Sequence, residues 1–245
     1  MSGAASTPAL PRRLALLPRL GLRPTTAELL GGYLDEALPA GARAVALDAG
    51  CGRMSALATR KDRLARLLGV DIHQPPSPLP WLDEFQVADV CGGGEAFPAG
   101  TFDLVLSSFT VEHFADPRAA FRNVARWLRP GGTLVLSTVN RAHPFVALYL
   151  SLPPRLGRPL QRLVKASAAD AHPLVGRCND PARLRAALRE AGFADVEIRT
   201  AGHLARAWQR RLPLYLLGLL GDLAAQPFPA HRSTIIARAR LTDYR

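Results

Sequence analysis

Three aspartates in the middle of the chain each follow a short apolar run. Asp48 ends Ala44–Leu47 and precedes the glycine turn Gly50-Cys51-Gly52, whereas Asp71 and Asp89 end the next two runs. The carboxyl ends of parallel strands share one edge of a sheet, and a carboxylate about 20 residues beyond a glycine turn can accept hydrogen bonds from a ribose diol. Glycine also lets a ligand approach the backbone without a Cβ clash. The pattern predicts a site for a nucleoside that carries no phosphate.

A dinucleotide enzyme is the main competing interpretation of this turn. After Gly50 and Gly52, Ser55 stands where the third glycine of a GxGxxG turn would be, and no phosphate-binding lysine follows. Asp48 would also lie unfavourably close to a pyrophosphate. The turn and its acids therefore favour a nucleoside over a nicotinamide dinucleotide.

Residues from about 44 to 140 resemble class I S-adenosylmethionine-dependent methyltransferases of the small-molecule type (methyltransferase type 11), related to the ubiquinone-biosynthesis methyltransferases. The matching segments begin at the three acids and continue beyond them. They are LDAGCG (47–52), GVD (69–71), ADV (88–90), AFP (96–98), FDLV (102–105), EHFADP (112–117) and LRPGG (128–132).

The resemblance implies that S-adenosylmethionine is the cofactor. It implies that Asp48 and the glycine-turn backbone hold the methionine end, that Asp71 binds the ribose hydroxyls, and that Asp89 and the Val90 amide meet the adenine edge. The residues expected to contact the cofactor are Asp48, Gly50, Cys51, Gly52, Asp71, Ile72, Asp89, Val90 and Ser107.

The chain departs from that family's pattern at three places. Met54 occupies the position of a third glycine that eases helix packing. Four prolines between His73 and Trp81 make the usual helix after the second strand unfavourable. Some ubiquinone O-methyltransferases bind a metal through Glu-x-x-Glu-His, and Phe109–His113 lacks the first carboxylate. We therefore expect a loop after the second strand and no metal site.

Methyl transfer is a displacement, in which aligning the acceptor and excluding water can supply much of the acceleration. A hydroxyl acceptor also needs a base. His113 is the first candidate because it follows the fourth strand, with packing as its alternative role, and His143 is the second. Asn140 and Arg141 follow the fifth strand and are expected to contact the acceptor. Glu112 is expected to face solvent. These residues do not distinguish an oxygen, nitrogen or carbon acceptor.

Short apolar strands that alternate with helices predict an α/β fold. We expect a Rossmann-like, doubly wound, mostly parallel seven-stranded sheet with helices on both faces. Thr25 and Glu28 have capping-box spacing, and Asp116 and Asp180 precede prolines that can open helices. The predicted helices are Thr26–Leu38, Arg53–Ala65, Pro117–Leu128, Pro181–Gly192 and His203–Leu223, the last interrupted at Pro213. The last two predicted strands are Val196–Thr200 and Thr234–Ala239.

The pattern divides the chain into four parts. Residues 1–43 are an N-terminal extension and helix, and residues 44–140 are the cofactor-binding core. Residues 141–194 are an insert or lid followed by a helix. Residues 195–245 supply C-terminal strands and a helix that complete the same domain.

Composition agrees with one large α/β domain. The 245 residues are 48% hydrophobic and 21% charged, which suits a buried core. No stretch of 18 uncharged apolar residues is present, so a membrane-spanning helix is not expected. The 3 cysteines form no CxxC pair, which fits a reducing compartment and predicts a cytoplasmic protein.

The net charge of +11 is concentrated in residues 141–245, which hold 17 basic and 7 acidic residues. Such a bias can attract nucleic acid, anionic lipid or an acidic substrate. Segments 144–165 and 206–220 combine apolar and aromatic residues with cations, a combination that suits peripheral contact with a membrane. A substrate lid and ordinary core are the favoured interpretation of these segments, and membrane contact is the alternative.

The favoured function is methyl transfer to a small, lipophilic acceptor. The main alternative is a non-catalytic cofactor-binding or scaffold protein. A nucleic-acid methyltransferase is less favoured, because Ser107–Thr110 lacks the Asn/Asp-Pro-Pro-aromatic motif of enzymes that methylate base amino groups and because no RNA-binding module is evident.

Overall fold

One seven-stranded sheet organises the molecule in the computed structural model, which describes residues 17–153 and 175–242. Its strand order is β3-β2-β1-β4-β5-β7-β6. The strands are β1 (Ala44–Ala49), β2 (Leu64–Asp71), β3 (Glu84–Val87), β4 (Phe102–Ser108), β5 (Leu128–Val139), β6 (Phe193–Ala201) and β7 (Thr234–Leu241).

The sheet is mostly parallel. Strands β1 to β5 pair in parallel, and β7 is antiparallel to both β5 and β6. The carboxyl ends of six strands therefore share one edge with the start of β7, and residues that follow those strands meet there. The predicted fold class and the seven strands are confirmed.

Helices cover both faces of this sheet. Helix α1 packs against β5, β6 and β7 on one face, whereas α2 packs against β5 and α4 against β6 on the other. Each face has its own cluster of buried apolar side chains. The helices are α1 (Thr26–Ala37), α2 (Pro117–Trp127), α3 (Pro144–Ser151), α4 (Pro181–Glu190), α5 (Leu204–Ala207) and α6 (Leu212–Ala225).

Three helices begin where their capping residues predicted. The Thr25 hydroxyl accepts a hydrogen bond from the Glu28 amide, and the Glu28 carboxylate accepts one from the Thr25 amide. Asp116 and Asp180 cap α2 and α4, each followed by a proline at the first helical position. These caps satisfy N–H groups that the first helical turn leaves unpaired.

The prediction of a helix over Arg53–Ala65 is wrong. That stretch holds only a distorted 3₁₀ helix, Ala58–Arg63, and β2 already begins at Leu64. The Arg60 guanidinium donates to the Asp35 carboxylate at 2.9 and 3.0 Å and to the Gly31 carbonyl at 3.2 Å. Tertiary contacts with α1 therefore hold this stretch, and they override its helical propensity.

The connection after β2 contains no helix, as its prolines predicted. Residues 72–83 form bends and turns, and a cleft of about 340 Å³ is lined by residues 74–79 and 82–85 of this region. The cofactor edge of the sheet is therefore bordered by a loop on the β2 side.

The region after β5 differs in part from expectation. Helix α3 was not predicted, although His143 accepts a hydrogen bond from the Phe145 amide and Pro144 opens the helix. The helix expected over His203–Leu223 is two helices, α5 and α6, and the break precedes Pro213, which lies in the first turn of α6. A proline there loses no helical hydrogen bond.

Two further observations concern the surface. Within residues 17–153 and 175–242, no helix is both long and apolar enough to span a membrane. Of the predicted membrane-contact segment 144–165, residues 154–165 lie outside the described residues.

Candidate functional site

The glycine turn lies at the carboxyl end of β1 and bends through two positive φ angles, 76° at Gly50 and 52° at Gly52. A Cβ on Gly50 would overlap the Thr110 side chain, which follows β4. The amides of Gly50 and Cys51 donate to the Val70 carbonyl at 2.7 and 3.2 Å. Glycine is therefore required at position 50, and its N–H group already has a partner within the fold.

Asp48 lies beneath the turn, with 2% of its surface exposed. Burial raises the pKa of its carboxyl to about 7, since a charged carboxylate there loses its hydration; a hydrogen bond from Ser55 opposes this, and Asp71 adds repulsion. The carboxyl can therefore change its ionisation near neutral pH, which suits a group that meets a cationic ligand.

Asp71 ends β2 and faces the turn. Its Oδ2 accepts a hydrogen bond from the Gly52 amide at 3.1 Å and its Oδ1 accepts one from the His73 amide at 3.2 Å. Each carboxylate oxygen has a second lone pair, so the group can accept further hydrogen bonds from a ligand. Ile72 beside it is 52% exposed. The two backbone bonds fix the orientation of the carboxylate at the sheet edge.

Asp89 and Val90 follow β3 in a tight turn. The Asp89 Oδ1 accepts a hydrogen bond from the Cys91 amide at 2.8 Å, and its side chain is exposed. Val90 is buried, and its carbonyl accepts a hydrogen bond from the Asn123 side chain at 2.8 Å. The acid is therefore accessible to a ligand while the valine anchors the turn.

The cysteines have no sign of nucleophilic activation. Cys51 and Cys178 are buried and Cys91 is half-buried, and desolvation raises the pKa of all three thiols. A thiol kept protonated is a poor nucleophile. The Cys51 side chain points from the glycine turn toward β2, since its sulfur would contact a Cβ placed on Gly69.

The end of β4 combines an unpaired hydroxyl with a constrained backbone. The Ser107 Oγ is buried without a hydrogen-bond partner among the described residues. Phe109 adopts φ 55°, which is uncommon outside glycine, and its amide donates to the Ser137 carbonyl at 2.9 Å. Thr110 then contacts Gly50 through a 3.3 Å hydrogen bond to its carbonyl. Strained backbone of this kind is frequent at functional sites.

His113 is half-buried in the loop that follows Thr110, and its amide donates to the Thr110 carbonyl at 2.9 Å. The neighbouring Glu112 was expected to face solvent, and that expectation is wrong. Its side chain is 3% exposed and accepts a hydrogen bond from the buried Thr138 hydroxyl at 2.8 Å. Asn179 donates to the same hydroxyl at 2.8 Å, so Glu112 belongs to a buried polar network.

Asn140 is buried and bonded within the fold, and its expected contact with an acceptor stays a prediction. Its Nδ2 donates to the carbonyls of Ala230 and Arg232 at 2.9 and 2.7 Å, and its Oδ1 accepts from the Ala142 amide at 3.1 Å. Arg141 is exposed, and its amide donates to the Asn179 carbonyl at 2.7 Å. Asn140 therefore fixes the loops around β7, and Arg141 stays accessible.

His143 is also part of the fold rather than an open catalytic group. It is 1% exposed, and its Nδ1 accepts the Phe145 amide at the start of α3. Burial lowers the pKa of the imidazole, which keeps it neutral and suits the acceptor role of Nδ1. A buried helix cap reaches an acceptor only if this region moves, and the expected role of His143 as a base stays a prediction.

His203 was not identified from the sequence, although it follows β6 at the same edge of the sheet. Its ring packs against Phe109 in a tilted arrangement at 4.7 Å between centroids, and its Nδ1 is buried with no hydrogen-bond partner among the described residues. Burial, with a smaller effect of Arg206, lowers the pKa of His203 to about 4. Its amide donates to Asp222 at 3.1 Å and to Ser233 at 2.8 Å. A neutral imidazole therefore lies beside the end of β4.

Further aromatic rings lie in the segments that follow β5 and β6. Phe145 stacks on Trp208 at 6.2 Å and contacts the His143 ring at 5.6 Å. With Phe109 and His203, these rings come from the ends of β4, β5 and β6. We refer to these aromatic side chains together as the aromatic wall, and rings of this kind suit a lipophilic ligand.

Comparison with known proteins shows that this chain is similar to methyltransferases. The profile of a family described as a methyltransferase domain matches residues 23–198. Nocamycin O-methyltransferase of Saccharothrix syringae is 30% identical over 61% of this chain, and the match covers 59% of that relative, less than two thirds. Ubiquinone biosynthesis O-methyltransferase of Xanthomonas axonopodis pv. citri is 32% identical over 80% of this chain and 79% of its own length.

Among solved structures, an S-adenosylmethionine-dependent methyltransferase from Mesorhizobium loti superposes with a TM-score of 0.55. It is 22% identical and covers 88% of this chain and 98% of its own. A structural similarity at 22% sequence identity is evidence for the fold alone, and this similarity agrees with the α/β fold described above.

Proposed function

The chain belongs to the class I S-adenosylmethionine-dependent methyltransferases, and from that premise we propose that it methylates a hydroxyl oxygen of a small, lipophilic molecule. The observation that carries this proposal is the arrangement of Asp48, the glycine turn and Asp71 at one sheet edge beside the aromatic wall. The choice of oxygen rests on the two relatives, which are both O-methyltransferases.

The described residues fit the cofactor. The Ser107 hydroxyl is buried and unpaired, as expected of a group that bonds a ligand. Asp71 has acceptor capacity for two ribose hydroxyls, and Asp89 is exposed beside it along the edge. Met54 is 88% exposed, so it does not fill the turn. The amides of Gly50 and Gly52 are already bonded, so we assign contact with the methionine end to Asp48 and to turn carbonyls.

When bound, S-adenosylmethionine supplies an electrophilic methyl group on a sulfonium. The chain's own part is to bind and align the acceptor and to exclude water. Ionised Asp48 offers a buried negative charge beneath the turn, which favours a cationic ligand. Phe109, held at positive φ, packs its ring against His203.

His203 is the residue that we assign to the acceptor hydroxyl. Because its imidazole stays neutral at neutral pH, a ring nitrogen can accept a hydrogen bond from a hydroxyl group and orient it. A neutral ring also avoids repulsion with a sulfonium. His113 stays the candidate for the base, since the loop after β4 carries it beside the Thr110 contact with Gly50.

A titration of the purified full chain with S-adenosylmethionine and S-adenosylhomocysteine tests the cofactor site. We expect saturable binding that Asp71→Ala weakens about 100-fold or more, because charge-assisted hydrogen bonds to the ribose are lost. Asp62→Asn, which changes an exposed acid on the 3₁₀ helix, should leave the affinity unchanged. Absence of binding by the unaltered chain would overturn the proposal.

An acceptor screen with methyl-labelled S-adenosylmethionine tests catalysis. Lipophilic phenols and other hydroxyl compounds should become labelled, and amines of matched size should not. Binding without turnover on a broad panel would favour the alternative function, a non-catalytic cofactor-binding or scaffold protein.

The proposal also concerns where in the cell the protein acts. We expect peripheral contact with a membrane through parts of segments 144–165 and 206–220, since a lipophilic acceptor concentrates there. We do not expect nucleic acid to be a partner. An electrophoretic mobility assay with tRNA and duplex DNA at physiological salt should show no specific complex.

A further inference from the structure

Helix α6 carries an exposed face made only of apolar side chains. Every exposed residue between 212 and 224 is apolar, and the one charged residue of the helix, Asp222, is buried. A surface helix normally presents polar residues on its outer face, and an exposed apolar patch marks an interaction site. The exposed leucines are Leu212 (48%), Leu216 (52%), Leu217 (44%), Leu220 (64%) and Leu223 (37%).

The opposite face of α6 is fixed by close packing. A Cβ on Gly218 would lie 2.9 Å from the Ala205 amide nitrogen, and one on Gly221 would lie 2.9 Å from the Phe145 ring. Asp222 accepts hydrogen bonds from the amides of His203 and Ala205. Rotating the helix to bury its leucines would break these contacts, so the leucines face outward as a consequence of the packing.

Helix α3 also exposes an apolar side chain. Its Phe145 contacts Gly221 on the packed face of α6, and Leu148, three residues after Phe145, is 64% exposed. Both helices therefore expose apolar side chains to solvent.

Cations lie next to the amino-terminal end of α6. Arg206 and Arg211 are both exposed, and neither forms an ion pair within the described part of the chain. Arg211 directly precedes the helix, whose amino terminus adds partial positive charge through its free N–H groups. Phosphate groups are attracted to such a helix end, whereas the leucines suit hydrocarbon.

We propose that the leucine face of α6, together with Leu148, Arg206 and Arg211, docks onto an anionic lipid bilayer. The helix would lie in the plane of the interface, with leucines among the acyl chains and arginines at the phosphates. This inference rests on the membrane contact proposed above, for which it names the surface and the lipid class, and it does not depend on the methylation reaction. Trp208 and Phe145, which pack behind α6, would then place the aromatic wall next to the bilayer.

The test is co-sedimentation of the full chain with vesicles at low salt. One set is phosphatidylcholine alone, and the other contains about one third phosphatidylglycerol. Leu216→Gln with Leu220→Gln should lower binding at least about tenfold, since two exposed apolar side chains no longer enter the bilayer. Arg206→Gln with Arg211→Gln should lower binding to the anionic vesicles by about fivefold per arginine.

A matched charge control is Arg122→Gln with Arg189→Gln, two exposed arginines on α2 and α4. This variant should bind as the unaltered chain does. No co-sedimentation of the unaltered chain with anionic vesicles would overturn the inference, and so would an equal loss in the control, which would indicate diffuse charge attraction. Light scattering that shows a dimer dispersed by the leucine variant would also overturn it, by assigning the face to a second copy.

The same variants are titrated with S-adenosylmethionine. None of the substituted residues belongs to the proposed cofactor site, so the affinity for S-adenosylmethionine should be unchanged in all of these variants. Lost membrane binding with intact cofactor binding would therefore bear on the docking surface alone, and absent cofactor binding in the unaltered chain would bear on the proposed function alone.

Discussion

At the residue scale, burial decides what each ionisable group near the sheet edge can do. Asp48 and His203 are both desolvated, which raises the pKa of the acid to about 7 and lowers that of the base to about 4. Both groups are therefore driven toward their neutral forms. The acid can be ionised by a cationic ligand, whereas the imidazole stays an acceptor throughout the neutral range.

The raised pKa of Asp48 predicts that cofactor affinity depends on pH. A bound cation favours the ionised carboxylate, so below about pH 7 binding must release a proton. We expect affinity for S-adenosylmethionine to rise up to about tenfold per pH unit toward pH 7 and to level off above about pH 8. Calorimetric titrations at several pH values measure this slope.

Asp48→Asn is the control for that slope. The variant should bind more weakly and with little pH dependence, because the titrating group is gone. An unaltered chain whose affinity is flat from about pH 5.5 to 8.5 would contradict the role of Asp48.

His203 can be separated from its packing role by a ring-preserving change. His203→Phe keeps the ring contact with Phe109 but removes both nitrogens. With an acceptor from the screen, we expect kcat to fall about 100-fold, as for loss of a group that orients the acceptor, while cofactor affinity is kept. His113→Phe is made in parallel. If kcat falls only in the His113 variant, the base is His113 and His203 serves packing.

At the element scale, local capping signals set where helices begin, and packing sets which face they expose. The side chain and amide of Thr25 exchange hydrogen bonds with Glu28 at the start of α1. By contrast, nothing local orients α6, whose leucines run all round the helix. Close contacts at Gly218 and Gly221 decide which of them are buried.

Removing the α1 cap should weaken the whole fold by a small, measurable amount. Thr25→Ala leaves the Glu28 amide without its acceptor, and we expect the free energy of unfolding to fall by about 1 kcal/mol. Urea denaturation followed by circular dichroism measures it. In a double-mutant cycle, Glu28→Ala should add much less to Thr25→Ala than it costs alone, since both partners belong to one box. Full additivity would contradict the coupling.

At the scale of the whole molecule, the two ends of the described chain are tied together. Gln226 donates hydrogen bonds to the carbonyls of Gly21 and Arg23 at 2.8 and 3.0 Å. The guanidinium of Arg238, on the last strand, lies 5.2 Å from the centre of the Tyr33 ring on α1. Helix α1 therefore completes one face of the sheet formed by later strands.

This arrangement predicts that a chain beginning at residue 44 will not fold cooperatively. It would lose α1 and with it five side chains that are at most 7% exposed. At about 2 kcal/mol each, their burial contributes on the order of 10 kcal/mol, which is comparable to the stability of a typical domain. The side chains are Leu29, Leu30, Tyr33, Leu34 and Leu38.

Thermal unfolding followed by circular dichroism checks that prediction. The full chain should unfold in a single transition, whereas the truncated chain should show none or should aggregate. Adding a peptide of residues 17–43 should restore the transition at least in part. Cooperative unfolding of the truncated chain alone would instead support residues 1–43 as a separable extension.

The sequence by itself determined the sheet, the helix caps and the positions of the three strand-end acids. These features depend on residues close together in the chain: an apolar run, a glycine turn, a capping side chain. Asp48, Asp71 and Asp89 lie at one edge because parallel strands align their carboxyl ends. The same local patterns predicted a nucleoside ligand, and the family resemblance implied that it is S-adenosylmethionine.

Only the tertiary structure decided which side chains are accessible around that edge. Glu112, Asn140 and His143 follow strands as the acids do, yet each is buried and bonded within the fold. His203 meets Phe109 only because β6 and β4 belong to the same sheet. Burial and exposure are set by which surfaces pack together, and residues far apart in the chain supply those surfaces, so no local pattern contains them.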